Sequence, residues 1–447
     1  MAQLRQSLNL FDMTMIAIGG TIGSGIFLTP SLVAQALPSP WLIILVWVLG
    51  GLMALAGALS FAELAALLPR AGGQYAYLSE AYGSLVGFLF GWAYFLVVNA
   101  GGLGALSVAF ATYFGYFVPL GPAGTKAVAI GGLLALTMVN VLGVKLGAVF
   151  SDVFTVLKLA GIAGLVGVGL AMGSSQTTDF SLAAYRAPAG AGAAIATAMV
   201  GVLWSYGGWQ HATYASAEVK NARSTVPLAM TIAAFAVTAL YLAANVAYMF
   251  VLTPGEIAAS PRVAADAMTR VLGPAGGTLI SLAIFISTFG VVGIYTLTAP
   301  RIYFAMAGDG LFFRRVAEVH PRFQTPALSI LAQSAWAALL ILFWGTFENL
   351  ISYVVFTDWI FFGLAGAAVI VFRIRMPTAE RTAPVPLYPL TPAFFAAVSA
   401  WFVLMTLRER PAQAWAGLAF LALGIPVYYY WKRRRPPAPA APPSAGN

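Results

Sequence analysis

The chain has 447 residues, of which 60% are apolar and only 8% charged, and its mean hydropathy is +0.87. Soluble domains carry about 25% charged residues, so this balance excludes one. The lack of cysteine excludes disulfides, thiolate metal sites and a cysteine nucleophile, and two histidines, His211 and His320, are too few for a histidine metal cluster.

Crossing a hydrocarbon core of roughly 30 Å takes about 20 apolar residues in a helix. Twelve runs qualify, at 12–36, 41–68, 85–118, 126–144, 150–172, 193–215, 226–252, 274–300, 326–346, 349–373, 388–407 and 412–431. The stretch Gln3 to Asn9 is polar and the first run outlasts a signal h-region, so no cleavable leader is expected. That first run is interrupted by Gly19-Gly20-Thr21-Ile22-Gly23-Ser24-Gly25-Ile26-Phe27. The sixth is interrupted by Trp204-Ser205-Tyr206-Gly207-Gly208-Trp209. Glycine disfavours helix by about 1 kcal/mol relative to alanine. A bilayer tolerates unwound backbone only where it lines a protein cavity. Two helices broken alike in corresponding halves point to a transporter's substrate site.

The breaks fall near the starts of two five-span units, 12–172 and 193–373. An odd number of spans per unit makes the two point in opposite directions, which is an inverted repeat. Residues 1–11 form an N-terminal tail, 388–431 hold two appended spans, and the Pro/Ala-rich 432–447 read as a disordered tail. With the N-terminus inside, 16 of the 23 basic residues fall in cytoplasmic segments, 6 in outer ones, and Lys158 within a span. This places both termini in the cytoplasm, the chain in the cell's inner (plasma) membrane, and makes the charge of +9 a topology signal with no nucleic-acid partner implied. Lys432 to Arg435 read as a stop-transfer flank that also meets anionic lipid.

On these motifs the chain closely resembles the amino acid–polyamine–organocation transporters, and within them the L-type, light-chain-like amino acid transporters. The resemblance is carried by Gly20 to Phe27, by Phe61-Ala62-Glu63-Leu64, and by Pro69-Arg70-Ala71-Gly72-Gly73-Gln74. It continues in Asp152-Val153-Phe154-Thr155 with Lys158, in Tyr206-Gly207-Gly208-Trp209 with Glu218, and in Ser287 to Gly290 through Arg301 to Phe304. It implies an all-α membrane fold of twelve helices, five plus five inverted, with helices one and six unwound. It also implies sodium-independent exchange of neutral L-amino acids, without a cofactor. Eukaryotic relatives bond a heavy chain through a cysteine; none exists here, so the chain resembles a stand-alone prokaryotic member.

A zwitterion at the bilayer midplane needs N–H donors for its carboxylate, which the start of a half-helix supplies. Ile22, Gly23, Ser24 and Gly25 are the candidates, with the Ser24 hydroxyl. Its ammonium needs carbonyls, for which Gly20, Thr21, Trp204, Ser205 and Gly207 are candidates. Resemblance implies that Trp204 gates the site, that Trp209 closes its other side, and that Phe356 and Trp359 line its far end. Glycine at 207, where relatives with cationic substrates carry aspartate, implies neutral substrates. Resemblance also implies that the Lys158 ammonium fills a cation position between the first break and Ser287 or Thr288. The alternatives for Lys158 are proton coupling by titration and snorkelling to the interface. Asp358 is open among substrate contact, proton carriage and a hydrogen bond inside the bundle. Glu63 and Asp152 read as structural, His211 as a bonded structural histidine, and Glu218, Lys220, Arg223, Arg70 and Arg301 as an inner ion-pair gate or solvated loop charges. Proton-coupled symport, exchange of cationic amino acids or amines, and a non-transporting sensor are the competing functions. An enzyme is not expected, because no nucleophile–base pair or carboxylate cluster sits at membrane depth.

Overall fold

Chain entry into the first helix is fixed by a capping box. Asn9 accepts from the N–H groups of Phe11 at 2.7 Å and Asp12 at 3.1 Å, and the Asp12 carboxylate accepts from Asn9 N–H at 2.8 Å. A computed structural model describes residues 6–181, 190–344, 347–409 and 411–434, leaving aside the side chains of 344, 347–353 and 413. Arg5, Arg186, Arg435 and most of the expected C-terminal tail lie outside the described residues.

The first run is two helices, α1 (Leu10–Thr21) and α2 (Gly25–Ala36), separated at the glycines. Then come α3 (Pro40–Leu67), α4 (Gln74–Tyr82), α5 (Ser84–Ala93), a π-helical turn at Tyr94–Val98, α6 (Asn99–Phe114), α7 (Pro122–Leu142) and α8 (Val144–Met172). The second break separates α9 (Ala191–Tyr206) from the single turn α10 (His211–Tyr214). Beyond it lie α11 (Ala222–Val251), α12 (Pro254–Ala259), α13 (Val263–Thr298), α14 (Pro300–Gly308), α15 (Ala327–Trp344), α16 (Phe347–Arg375), α17 (Leu390–Glu409) and α18 (Pro411–Arg434).

Among the described residues ten helical stretches are long and apolar enough to cross a bilayer, and two shorter ones, Ala191–Tyr206 and Ala327–Phe343, fall on the sixth and ninth expected spans. The α13 backbone turns at Gly273 (φ 70°, ψ −167°) before Pro274, so the expected start of the eighth span at 274 coincides with a real corner. The fifth expected span is α8, which starts at Val144 rather than near 150 and so puts Lys158 midway along it. Residues 432–434 continue the last helix instead of beginning a disordered tail.

The broken first run is central: 89% of its most apolar window is buried, against 28% for α8. On α8 the exposed Val149, Val153, Val156 and Leu157 form a continuous apolar stripe. Such a stripe is a liability in water and costs nothing against hydrocarbon. The chain is a multi-pass membrane protein. Within it α1 contacts α8 and α11, α2 lies along α9, and α13 is flanked by α6 and α8. Glu63, on α3, is clamped by Arg373 (2.7 and 2.9 Å), Arg381 (3.1 Å) and Val385 N–H (2.7 Å), a structural role consistent with its burial.

Candidate functional site

The two breaks meet. Gly208 has φ +123°, and a methyl group on it would overlap the Gly20 carbonyl, so only glycine serves there. At Gly25 an added methyl would sit 2.5 Å from Ser205 Cα. Thr29 on α2 joins the hydroxyl of Ser205 on α9 at 2.8 Å. Tyr241, from α11, points its hydroxyl at both breaks, 3.0 Å from the Thr21 carbonyl and 3.0 Å from the Ser205 carbonyl. Nothing in the local sequence around Tyr241 marks it for this position.

The backbone groups divide differently from the sequence expectation. Ile22 N–H closes α1 by donating to Ile18 at 2.8 Å, so it is not free. Among the described residues the N–H groups of Gly23, Ser24, Gly25 and Ile26 have no hydrogen-bond acceptor, and the buried Ser24 hydroxyl is unpaired. The unwound start of α2 is thus a set of four donors at a positive helix end, displaced by one residue. Of the expected carbonyls, Thr21 and Ser205 are occupied by Tyr241 and Trp204 receives Gly207 N–H at 3.2 Å. The Gly20 and Gly207 carbonyls accept nothing among the described residues.

Lys158 is 1% exposed and donates to the carbonyls of Gly19 at 2.8 Å and Ile22 at 2.9 Å, on either side of the α1 break. It does not snorkel. Among the described residues no hydrogen bond joins it to Ser287, whose hydroxyl is unpaired, or to Thr288, which donates to its own helix at Ile284 (2.9 Å). Among the described residues the ammonium is therefore held by the end of α1 and its cap residue Ile22.

Next to the α9–α10 break is a cavity of about 30 Å³. It is lined by Tyr94 and Val98 of the π turn, Leu203, Trp204, Gly207 and Gln210 of the break, and Tyr295 of α13. Val354, Val355, Asp358, Trp359 and Phe362 of α16 complete it. A water needs roughly 10–15 Å³ on this measure, so the cavity admits about two waters and no amino acid as it stands. Of the expected aromatics, Trp204 and Trp359 line it. Trp209 instead stacks on Phe362 (5.5 Å between centroids) and meets Phe61 edge-on at 4.9 Å, in a packed aromatic cluster. Phe356 turns toward α18, 3.1 Å from the position a side chain on Gly417 would take. Beneath the cavity His211 joins Thr298 at 2.5 Å and the Tyr94 hydroxyl at 3.3 Å, and stacks on Tyr295 at 3.9 Å, as a bonded structural histidine does.

At the end of the molecule bearing the N-terminus, Arg301 grips Glu218 through two bonds of 2.7 and 3.1 Å, both side chains 1% exposed. The segment before α1 lies over this pair: Ser7 and Leu8 N–H donate to the Glu218 carbonyl at 2.9 and 3.0 Å, and Lys220 N–H donates to Leu8 at 3.0 Å. Arg70 pairs outside this seal, with Glu80 at 3.7 Å, and among the described residues Lys220 and Arg223 form no ion pair.

A model of the amino acid permease family matches residues 8–426. The serine/threonine exchanger of Bacillus subtilis (strain 168) is 33% identical over 94% of this chain and 95% of its own length. The human b(0,+)-type amino acid transporter 1 is 31% identical over 95% of the chain and 88% of itself. The rabbit (Oryctolagus cuniculus) large neutral amino acids transporter small subunit 2 is 30% identical over 95% of the chain and 80% of itself. These relatives are transporters by name, and this chain has no cysteine with which to bond a heavy chain.

Proposed function

The chain belongs to the amino acid permease family, and from that premise we propose that it is a sodium-independent secondary transporter exchanging neutral L-amino acids by alternating access. Its twelve spans form two inverted five-helix units, 12–172 and 193–373, followed by two further helices. Both termini lie in the cytoplasm and the protein resides in the cell's inner membrane. The substrate carboxylate is received by the free N–H groups at the start of α2, with Ser24, and the ammonium by the carbonyls of Gly20 and Gly207. The side chain extends toward Trp204, Trp359 and the cavity between α9 and α16. Glycine at 207 offers no counter-charge for a cationic substrate at that position.

One observation carries the reading: the Lys158 ammonium fixed on the Gly19 and Ile22 carbonyls. A cation bound at a broken helix stabilises the carbonyls that the break exposes. Here a side chain supplies that cation permanently, so no sodium ion is needed for the task. Binding energy from the substrate then has only the substrate itself to ride on, which favours exchange over net accumulation.

The test is labelled alanine and leucine uptake by purified protein in liposomes, with and without unlabelled amino acid inside, while sodium and the pH gradient are varied. Uptake that requires internal amino acid and ignores both ions is expected. Accumulation in empty liposomes driven by an inward proton gradient overturns exchange.

A further inference from the structure

The end of the molecule that bears the N-terminus holds a cavity of about 530 Å³, far from the α9–α10 break in character. It lies between the α7–α8 corner, the loop before α15 and the segment that follows α10. Each of these supplies one exposed cation to its wall: Lys145, Arg322 and Lys220. No acidic residue lines it, and among the described residues none of the three cations forms an ion pair. The backbone that carries them is held in place. His320 N–H donates to the Thr325 carbonyl at 2.8 Å, and the Thr325 hydroxyl donates to the Val141 carbonyl at 2.8 Å, which clamps the Arg322 loop to the end of α7. Lys220 N–H is bonded to the Leu8 carbonyl at 3.0 Å. Three like charges around one hollow focus a positive potential, and an anion in the hollow relieves their repulsion.

We propose that this cavity binds the phosphate headgroup of an anionic phospholipid from the membrane leaflet at that end. Its volume falls within the roughly 300–1,000 Å³ of ligand sites. Arginine meets a phosphate through two parallel bonds and lysine as a point charge. The N–H groups of Val144, Lys145 and Leu146, which open α8 on the same wall, have no acceptor among the described residues and add a positive helix end. What separates a lipid from a free phosphate is the apolar part of the wall. Leu142 and Leu146 line the cavity and are 49% and 52% exposed. Leu146 begins a stripe on α8 that continues at helical spacing through the exposed Val149, Val153, Val156 and Leu157. A headgroup held by the cations at the base of that stripe lays its acyl chains along it, whereas a free ion makes no use of it. Ser7 and Lys220, both on the cavity wall, also belong to the contacts that close this end. A bound headgroup therefore ties that closure to α8 and stabilises the folded protein.

The full chain in a neutral detergent is offered phosphatidylglycerol or phosphatidylcholine of the same acyl chains. Retained lipid is counted by native mass spectrometry and the melting temperature is followed in parallel. Each basic residue beside an anionic headgroup contributes about fivefold, so phosphatidylglycerol should be retained at least roughly 10-fold better. It should also raise the melting temperature, and phosphatidylcholine should not. Lys145→Gln/Lys220→Gln/Arg322→Gln should remove most of both effects. Lys432, Arg433 and Arg434, on the last turn of α18, carry the same total charge and do not line the cavity. Replacing those three by glutamine should leave most of the preference in place. If the first triple variant does not fold, Lys220→Gln decides, and retention should fall several-fold. Equal retention of the two lipids by the native protein overturns the proposal, as does unchanged retention in Lys220→Gln. Equal losses from the two triple variants also overturn it, because the lipid then answers to overall charge and not to the cavity. Inorganic phosphate that alone raises the melting temperature as far as phosphatidylglycerol, through the same three residues, assigns the cavity to a free anion and overturns the lipid.

Discussion

Lys158 is 1% exposed and carries three N–H donors. Two go to carbonyls that α1 cannot satisfy because its helix stops between them. Lys158→Ala leaves both acceptors unpaired and buried, each at a cost of about 1–3 kcal/mol. Exchange should fall by at least about 10-fold. Its residual rate should keep the native pH dependence, measured between pH 5.5 and 8. A variant that loses a pH dependence present in the native protein would instead identify Lys158 as the proton carrier. Gly208 is constrained from two sides, by its positive φ and by the Gly20 carbonyl against it. Gly208→Ala must therefore push the two breaks apart, and should abolish exchange while the ten long helices keep the far-UV spectrum close to native. Full activity in that variant would mean that the contact between the breaks is not needed.

At the scale of helices, what was legible in the sequence is what leaves a trace in composition. Dense glycine inside an apolar run marks a break, so α1–α2 and α9–α10 could be read directly, and a lone lysine in the fifth run marked a buried charge. Hydrogen-bond closure left no such trace: Ile22 N–H folds back onto α1, and the free donors shift to Gly23–Ile26. Helix rotation is the other hidden quantity. The stripe of α16 that lines the cavity runs through Val355, Asp358, Trp359 and Phe362; Phe356 lies one residue, about 100°, off it and packs on α18. Tyr94, Gln210, Tyr241 and Tyr295 are single polar residues on helices far apart in the chain, so only the packing assembles them. The same logic governs the Glu218–Arg301 pair, which ties the end of the sixth span to the start of α14. Arg301→Leu strands a buried carboxylate and should destabilise the protein by about 3–5 kcal/mol, while Glu218→Leu/Arg301→Leu together should recover most of that. Melting temperatures in detergent provide the comparison. Equal melting of the single and double variants would show that the pair contributes only packing.

For the molecule as a whole, the asymmetry between its two ends is the mechanical question. The end with the N-terminus is shut by a buried ion pair and by an isolated β-bridge between Leu8 and Val219, with Ser7 and Leu8 bonded to the backbone of Glu218 and Lys220. Three backbone hydrogen bonds of about 1 kcal/mol each are enough to hold a population ratio near 100 to 1. Alternating access requires this seal to open, so weakening it should shift the population toward the state open at that end. Because the chain has no cysteine, a single introduced thiol reports without background. Val98→Cys places it in the cavity wall, on the π turn facing the α9–α10 break. In vesicles sorted by orientation, a membrane-impermeant maleimide should label this thiol slowly from the N-terminal side. Deleting residues 1–8 together with Glu218→Gln should raise that rate by roughly 10-fold or more, and an amino acid that the protein exchanges should, at saturation, lower it again. Labelling that is equally fast with the seal intact would mean that the ion pair and the bridge at Leu8 do not control access. The path to the cavity would then have to be governed by the rocking of α1–α2 and α9–α10 against the remaining helices alone.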